Sequence, residues 1–283
     1  MRKEAATYDY WKGTPPFQPF VTRYTESYLE NRMDWNPYCV EKDALFYQFV
    51  TDEEKVEIEL VSDACLNVLF ELDGADSCAW LSGTYLRPTF LTLKPNTTYF
   101  GFKPYTNLGF KSPRVNLRDL VDSSVDLTQA FPGAKQLISD IAEATSFGER
   151  TGVFNKFSWE HLIDHNYYPT FVDYLGVLLS YSEEQISLNN IDKVLGYSER
   201  HCREKFKDFY GISPKKYSDI IRFQNTLKAL VFGWYEGLSA LACECGYFDQ
   251  AHLTRDFRRY TNESPGKYLE KYTKQIALKN GCV

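Results

Sequence analysis

His252, Arg255, Arg258 and Arg259 crowd into one short stretch, GYFDQAHLTRDFRRYTNESPGKY, running from Gly246 to Tyr268. Cationic side chains at that density suit an anionic partner, because guanidinium forks match oxyanions. Their spacing says how they would be presented. Asp249 is placed to cap a helix start, its carboxylate accepting backbone N–H groups that lack intrahelical partners. At 3.6 residues per turn, Leu253, Phe257 and Tyr260 share one face. Ala251, Arg255 and Arg258 share the opposite face, flanked by His252 and Arg259. One face asks for a core and the other for negative charge.

Other residue types with chemical potential are less organised. Cys243 and Cys245 form a C-x-C pair, but no second pair or nearby histidine completes a zinc site. The seven cysteines are irregularly spaced, as expected of reduced thiols in a cytoplasmic protein. His161 and His165, in WEHLIDH, are four apart and expected on one helix face, without a third ligand. Residues 1–160 hold no histidine, which argues against a metal-dependent barrel enzyme. No Gly-rich phosphate loop and no G-x-S-x-G elbow occurs. No enzyme, metal or cofactor is therefore expected. No run of apolar residues is long enough for a membrane span, and MRKEAATYDYWKG lacks the apolar segment of a secretion signal.

Charge separates along the chain. The net charge is −6, yet residues 1–184 carry −11 and residues 185–283 carry +5. An acidic body joined to a basic carboxyl-terminal part suits a polyanion-binding module attached to something else.

The basic part contains an internal repeat. SLNNIDKVLGYSERHCREKFKDFYGISPKKY runs from Ser187 to Tyr217, and LSALACECGYFDQAHLTRDFRRYTNESPGKY from Leu238 to Tyr268. Gly196-Tyr197 recurs as Gly246-Tyr247 and Phe206 as Phe257, while Pro214 and Tyr217 recur as Pro265 and Tyr268. The second copy has one extra residue between its glycine and its helix. Each copy reads as helix, glycine turn and capped second helix, with Ser198 as the first cap and Cys202, Phe206 and Phe209 facing a core. Ser213-Pro214 and Ser264-Pro265 end one helix and start the next. A connecting helix is expected over Tyr217–Phe232, giving about seven helices in all.

Two such units joined by one helix resemble the DNA-binding domain of the AraC/XylS family of transcription regulators, over roughly 171–272. The resemblance implies that each second helix enters the major groove, in successive turns of the duplex. It further implies that Arg200, Arg203 and Glu204 in the first copy, and Gln250, Ala251, His252 and Arg255 in the second, read base edges. Lys207, Lys215, Lys216, Arg258 and Arg259 would contact phosphates, which position without specifying. The second helix is expected to supply more of the electrostatic affinity. Promoter DNA and RNA polymerase are the implied partners, and a homodimer is left open. Three positions depart from the family: Asp192 and Thr226 replace small residues, and Asn262 stands where Gly211 is matched. Asn tolerates the left-handed conformation. The Pro-Cys-His-Arg motif of DNA-repair alkyl acceptors that carry such units is absent; Cys202 in HCR should face the core.

The expected class is α+β: an amino-terminal, partly closed β-barrel-like domain with helices, then an all-α domain with two helix-turn-helix units. The boundaries are 1–160 for a sensor or dimerisation domain, 161–170 for a linker, 171–274 for the DNA-binding domain and 275–283 for a tail. VEIEL, CLNVLFELDG and FLTLKPNTTYFGFK read as strands, the last as two around Pro95-Asn96, and a helix should open at Ala134. SDACLNVLFEL, GFKPYTNLGF and LVDSSVDLTQAF also resemble, more loosely, a sensor domain found ahead of AraC-like modules. Phe70, Trp80, Tyr85, Tyr99 and Phe102, with Glu71 or Asn67 as polar groups, are candidates to line a small-molecule pocket. The alternatives are a body that serves only as an interaction or dimerisation platform, and an enzyme with an accessory DNA module. Residues 1–36, rich in Tyr and Pro, carry no expectation.

Overall fold

A computed structural model describes residues 17–24, 26–33, 44–53, 56–105, 114–168, 170–181 and 196–279. Alternating apolar residues in the amino-terminal body form strands whose two faces both find a core. These are β1 (Glu26–Met33), β2 (Ala44–Val50), β3 (Val56–Leu60), β4 (Asn67–Leu72), β5 (Cys78–Ser82), β6 (Thr89–Leu93), β7 (Thr98–Pro104) and β8 (Ser124–Asp126). Six of them form one antiparallel sheet in the order β1-β2-β7-β4-β5-β8, while β3 and β6 pair separately. Pro95-Asn96 does not close a hairpin. Asn96, at φ 50°, turns the chain from β6 in the small sheet to β7 in the large one.

The period of two sorts the large sheet's side chains. Phe46, Val68, Phe70, Leu81, Phe100 and Phe102 face a core covered by helices α3 (Ala134–Glu143) and α4 (Phe147–His161). These follow two shorter helices, α1 (Pro19–Tyr24) and α2 (Leu127–Ala130). Phe154 of α4 sits at the centre, with ring centroids 4.4 Å from Phe102 and 5.6 Å from Phe46. Leu45, Tyr47, Phe49, Leu69 and Tyr99 face the other way, into a core continuous with the carboxyl-terminal helices. Among the described residues the sheets do not close into a barrel, since β1 and β8 are the two edges of the larger one. α4 ends at His161, so His165 lies beyond it rather than on the same helix face. Its Nε2 sits 2.8 Å from the Trp159 carbonyl oxygen. Segment 161–170, expected as a linker, instead packs Leu162 and Ile163 into the amino-terminal core.

The basic part is helical: α5 (Phe171–Tyr181), α6 (Glu199–Tyr210), α7 (Pro214–Phe232), α8 (Leu238–Glu244), α9 (Gln250–Thr261) and α10 (Pro265–Lys279). The expected first helix of the first repeat, and Asp192 with it, lie outside the described residues. None of the described helices is long and apolar enough to cross a membrane. The two halves are tied by a strap that sequence alone did not reveal. The Phe17 backbone N–H donates to Gln224 Oε1 at 2.8 Å, and Gln224 Nε2 donates to the Ser62 carbonyl at 2.6 Å. Phe20 of α1 packs edge-on against Tyr268 and Tyr272 of α10. Lys271 of α10 reaches Glu59 of β3 at 2.6 Å.

Candidate nucleic-acid interface

Both proposed readers are built as their patterns require. In α6, Ser198 caps the start by accepting from the His201 backbone N–H, and Cys202 and Phe206 are buried. In α9, Asp249 accepts from the His252 backbone N–H at 2.6 Å, and Leu253, Phe257 and Tyr260 are fully buried. Gly196 and Gly246, at φ 71° and 72°, make the turns that lead in. Gly211 (φ 76°) and Asn262 (φ 58°) end the helices in the left-handed region, which asparagine tolerates better than most side chains. Ala242 is buried where α8 meets α9, and Thr226 folds its hydroxyl onto the Arg222 carbonyl at 2.9 Å, which lets it replace a smaller residue inside α7.

The polar faces differ. On α9, Gln250, Ala251, Arg255, Arg258 and Arg259 are exposed and His252 half-buried. Gln250 Oε1 accepts from the Ser239 hydroxyl at 2.9 Å, and Arg259 donates to Asp256 at 3.3 Å. On α6, Arg200 and Arg203 are exposed, but Arg203 is bonded to Glu199. Glu204 is held by Lys207 at 3.2 Å and by Arg118 of the amino-terminal body at 3.0 Å. Arg118 also reaches Asp208 at 2.7 Å. These cations, Lys207 first, hold the Glu204 carboxyl below its ordinary value. A base-reading role for Glu204 therefore competes with a contact inside the molecule. Lys215 is exposed, whereas Lys216 lies over the Tyr260 ring at 5.2 Å, and burial lowers its amine. That bridge spends part of Lys216 on joining the two units.

A family of helix-turn-helix domains matches residues 192–271. The probable transcription factor PqrA of Proteus vulgaris is 33% identical over 92 residues, covering 32% of this chain and 73% of PqrA. The chain belongs to the AraC/XylS family of transcription regulators. An uncharacterized HTH-type regulator of Staphylococcus aureus is 25% identical over 85 residues, and this chain spans only 11% of its length. Among solved structures, ToxT of Vibrio cholerae with an unsaturated fatty acid bound matches over 87% of this chain and 96% of its own. That match has 11% identity and a TM-score of 0.40. The AraC/XylS assignment accounts for the repeat and for the cationic face.

A cavity of about 410 Å³ lies where the large sheet, the β3–β6 pair, the strap and α7 meet. Gly101 shapes it: a Cβ there would stand 2.1 Å from the Tyr47 ring, so only glycine lets that ring lie across β7. Tyr47 then donates to Asn67 Oδ1 at 2.8 Å. The wall is largely apolar, with Leu45, Phe49, Ile58 and Leu69 among its members. Its charged members are Glu30, Arg32, Asp63, Lys103 and Lys228. Lys103 and Asp63 are bonded to each other, both nearly buried; burial works against the Lys103 charge, and Asp63, together with Tyr47 and Cys65, more than offsets it. Burial, reinforced by the Arg32 charge, pushes the Lys228 amine down to about 7. Phe232 and Trp234, stacked at 4.7 Å, flank the cavity from the end of α7.

Of the residues expected in a pocket, Tyr85 and Asn67 line this cavity. Phe70 and Phe102 point to the opposite sheet face, beneath Phe154. Tyr99 is buried with its hydroxyl donating to Glu71 at 2.7 Å, and neither lines the cavity, nor does Trp80. Parity accounts for Phe70 and Phe102, whereas Tyr99, Glu71 and Trp80 share the sheet face of Leu69 and lie away from the cavity along their strands. Aromatic residues mark strands, but adjacent positions face opposite ways. The wall residues contributed by α7 and the strap come from distant sequence, and no local pattern announces them.

Proposed function

We propose that the chain is a sequence-specific DNA-binding transcription regulator whose amino-terminal body holds a small molecule in the cavity beside α7. The observation that carries this reading is the position of α7. It is the helix that spaces the two readers, and its residues Lys228 and Phe232 form part of the cavity wall. An occupant would touch both the body and the scaffold of the readers, and so would bias their arrangement by its differential affinity. About 410 Å³ of mostly apolar wall with a few charged groups suits a small amphipathic molecule. Arg200, Arg203, Gln250, Ala251, His252 and Arg255 are the proposed base readers, with Lys207, Lys215, Arg258 and Arg259 on phosphates.

The test has two arms. Binding to duplex DNA should weaken steeply as salt rises, because phosphate neutralisation releases counterions. In a thermal-shift screen against small carboxylic acids, amines and neutral metabolites, a cavity ligand should raise the melting temperature saturably. The rise should disappear when Leu69→Trp fills the cavity. A screen without any saturable rise would leave the body as a ligand-independent platform.

A further inference from the structure

The two helix-turn-helix units differ by one inserted residue, and the structure identifies it as Phe248. In the first unit Tyr197 is followed directly by the cap Ser198; in the second, Phe248 stands between Tyr247 and the cap Asp249. Tyr247 is buried, with the Arg222 guanidinium 4.6 Å over its ring. Asp249 is committed to the helix start. Between these two anchors Phe248 is turned outward and is 93% exposed, the most exposed large apolar side chain among the described residues. Its backbone N–H donates to His252 Nδ1 at 3.4 Å, which fastens the turn to the first turn of α9. Phe248 therefore stands just before the cap and two residues before Gln250, at the end of the helix that meets base edges in this docking mode.

We propose that Phe248 is a specificity-determining residue of the second unit and packs its ring against a thymine methyl group in the major groove. This rests on the DNA-binding reading above. Thymine alone among the four bases presents a methyl group in that groove, and an apolar ring recognises it by excluding water rather than by a hydrogen bond. The contact adds a large apolar ring to a face whose other members are the small Ala251 and polar or cationic groups. The first unit, lacking the inserted residue, has no equivalent.

The experiment selects a preferred site for the full chain from a pool of randomised duplexes, then replaces each thymine in it by deoxyuridine in turn. At one thymine the loss of the methyl should weaken wild-type binding about fourfold, the effect expected of one buried methyl group. Phe248→Ala should bind the thymine site more weakly and be indifferent to that replacement, while Phe248→Leu retains part of the preference. The salt dependence should be the same in wild type and Phe248→Ala. Circular dichroism of both variants should match wild type, since the side chain is almost fully exposed among the described residues. If deoxyuridine affects wild type and Phe248→Ala equally at every thymine, the thymine contact is overturned while DNA reading stands. If the pool yields no enriched sequence, DNA reading itself falls and the inference falls with it.

Discussion

The two readers have the same architecture and opposite circumstances. α6 carries its charges in pairs, Arg203 with Glu199 and Lys207 with Glu204, and its outer face is held to the body through Arg118. Gly211 at its end lies so close to the 114–121 segment that a Cβ would stand 2.7 Å from the Leu117 carbonyl oxygen. α9 instead leaves Arg255 and Arg258 exposed and is flanked by an exposed Phe248. A duplication thus provides two similar scaffolds, and the side chains on them divide the labour. The polar face of the first reader is coupled to the body, and that of the second is left exposed.

That division concerns surfaces, so the cores should behave alike. Phe206 and Phe257 occupy equivalent positions and are both fully buried. Replacing either by Ala should cost about 3–5 kcal/mol by lost burial and cavity formation. Denaturant unfolding would show it, and a cost confined to one unit would mean that the two do not share a cooperative core.

A second large effect links the readers' scaffold to the body. Lys228 belongs to α7, yet its amine is pushed down to about 7 by burial in a wall shared with Arg32, Asp63, Cys65 and Lys103. A base whose folded value lies below its unfolded one binds fewer protons when folded. Its protonation therefore costs stability, a penalty of the order of a few kcal/mol that is full below about pH 7. Stability should rise from pH 7 towards pH 10 as the unfolded chain also loses that proton. Lys228→Met should flatten this rise, measured as the melting temperature across that range. An unchanged slope would place the amine in water.

On DNA the asymmetry should be direct. Arg255→Ala is expected to cost about 1–3 kcal/mol on a selected site and relax the preference at one base pair. Arg200→Ala should cost less, because the face around it is closer to neutral. Competition binding with single-base variants of the site would measure both. A larger loss for Arg200→Ala would reverse the comparison.

The sequence made the second half of the fold legible because its signals are local. Caps at Ser198, Ser213 and Asp249, glycine turns, and apolar residues three and four apart each act within one helix, and the repeat confirms them against each other. The strands of the body were legible for the same reason, but not their partners. β6 and β7 adjoin in sequence and belong to different sheets. The cavity was not legible as a whole, because strand parity, position along each strand and contacts such as Phe17 with Gln224, 207 residues apart, together decide which residues line it. Arg200, Arg203, Gln250, Arg255, Arg258 and Arg259 are exposed, as their helical wheels imply. Glu204, however, meets Arg118 from 86 residues away, a neighbour that no helical wheel includes.

Arg118 offers the finest test of the comparison. Its contacts with Glu204 and Asp208 are largely exposed to water, so their effect on global stability should be small. The local consequence is sharper. Glu204 is held below its ordinary value by Lys207 and then by Arg118, so this contribution to stability is present above pH 4.5 and is lost as the pH falls through the lowered value. Arg118→Gln should move Glu204 back towards the ordinary carboxylate range without removing the whole shift, because Lys207 remains. A carbon-detected NMR titration of the Glu204 carboxyl would follow it. If the first reader is held to the body as the geometry shows, the same variant should alter DNA binding through α6 and leave the thymine preference assigned to Phe248 untouched. An unchanged Glu204 titration would detach the first reader from the body and make the two units equivalent after all.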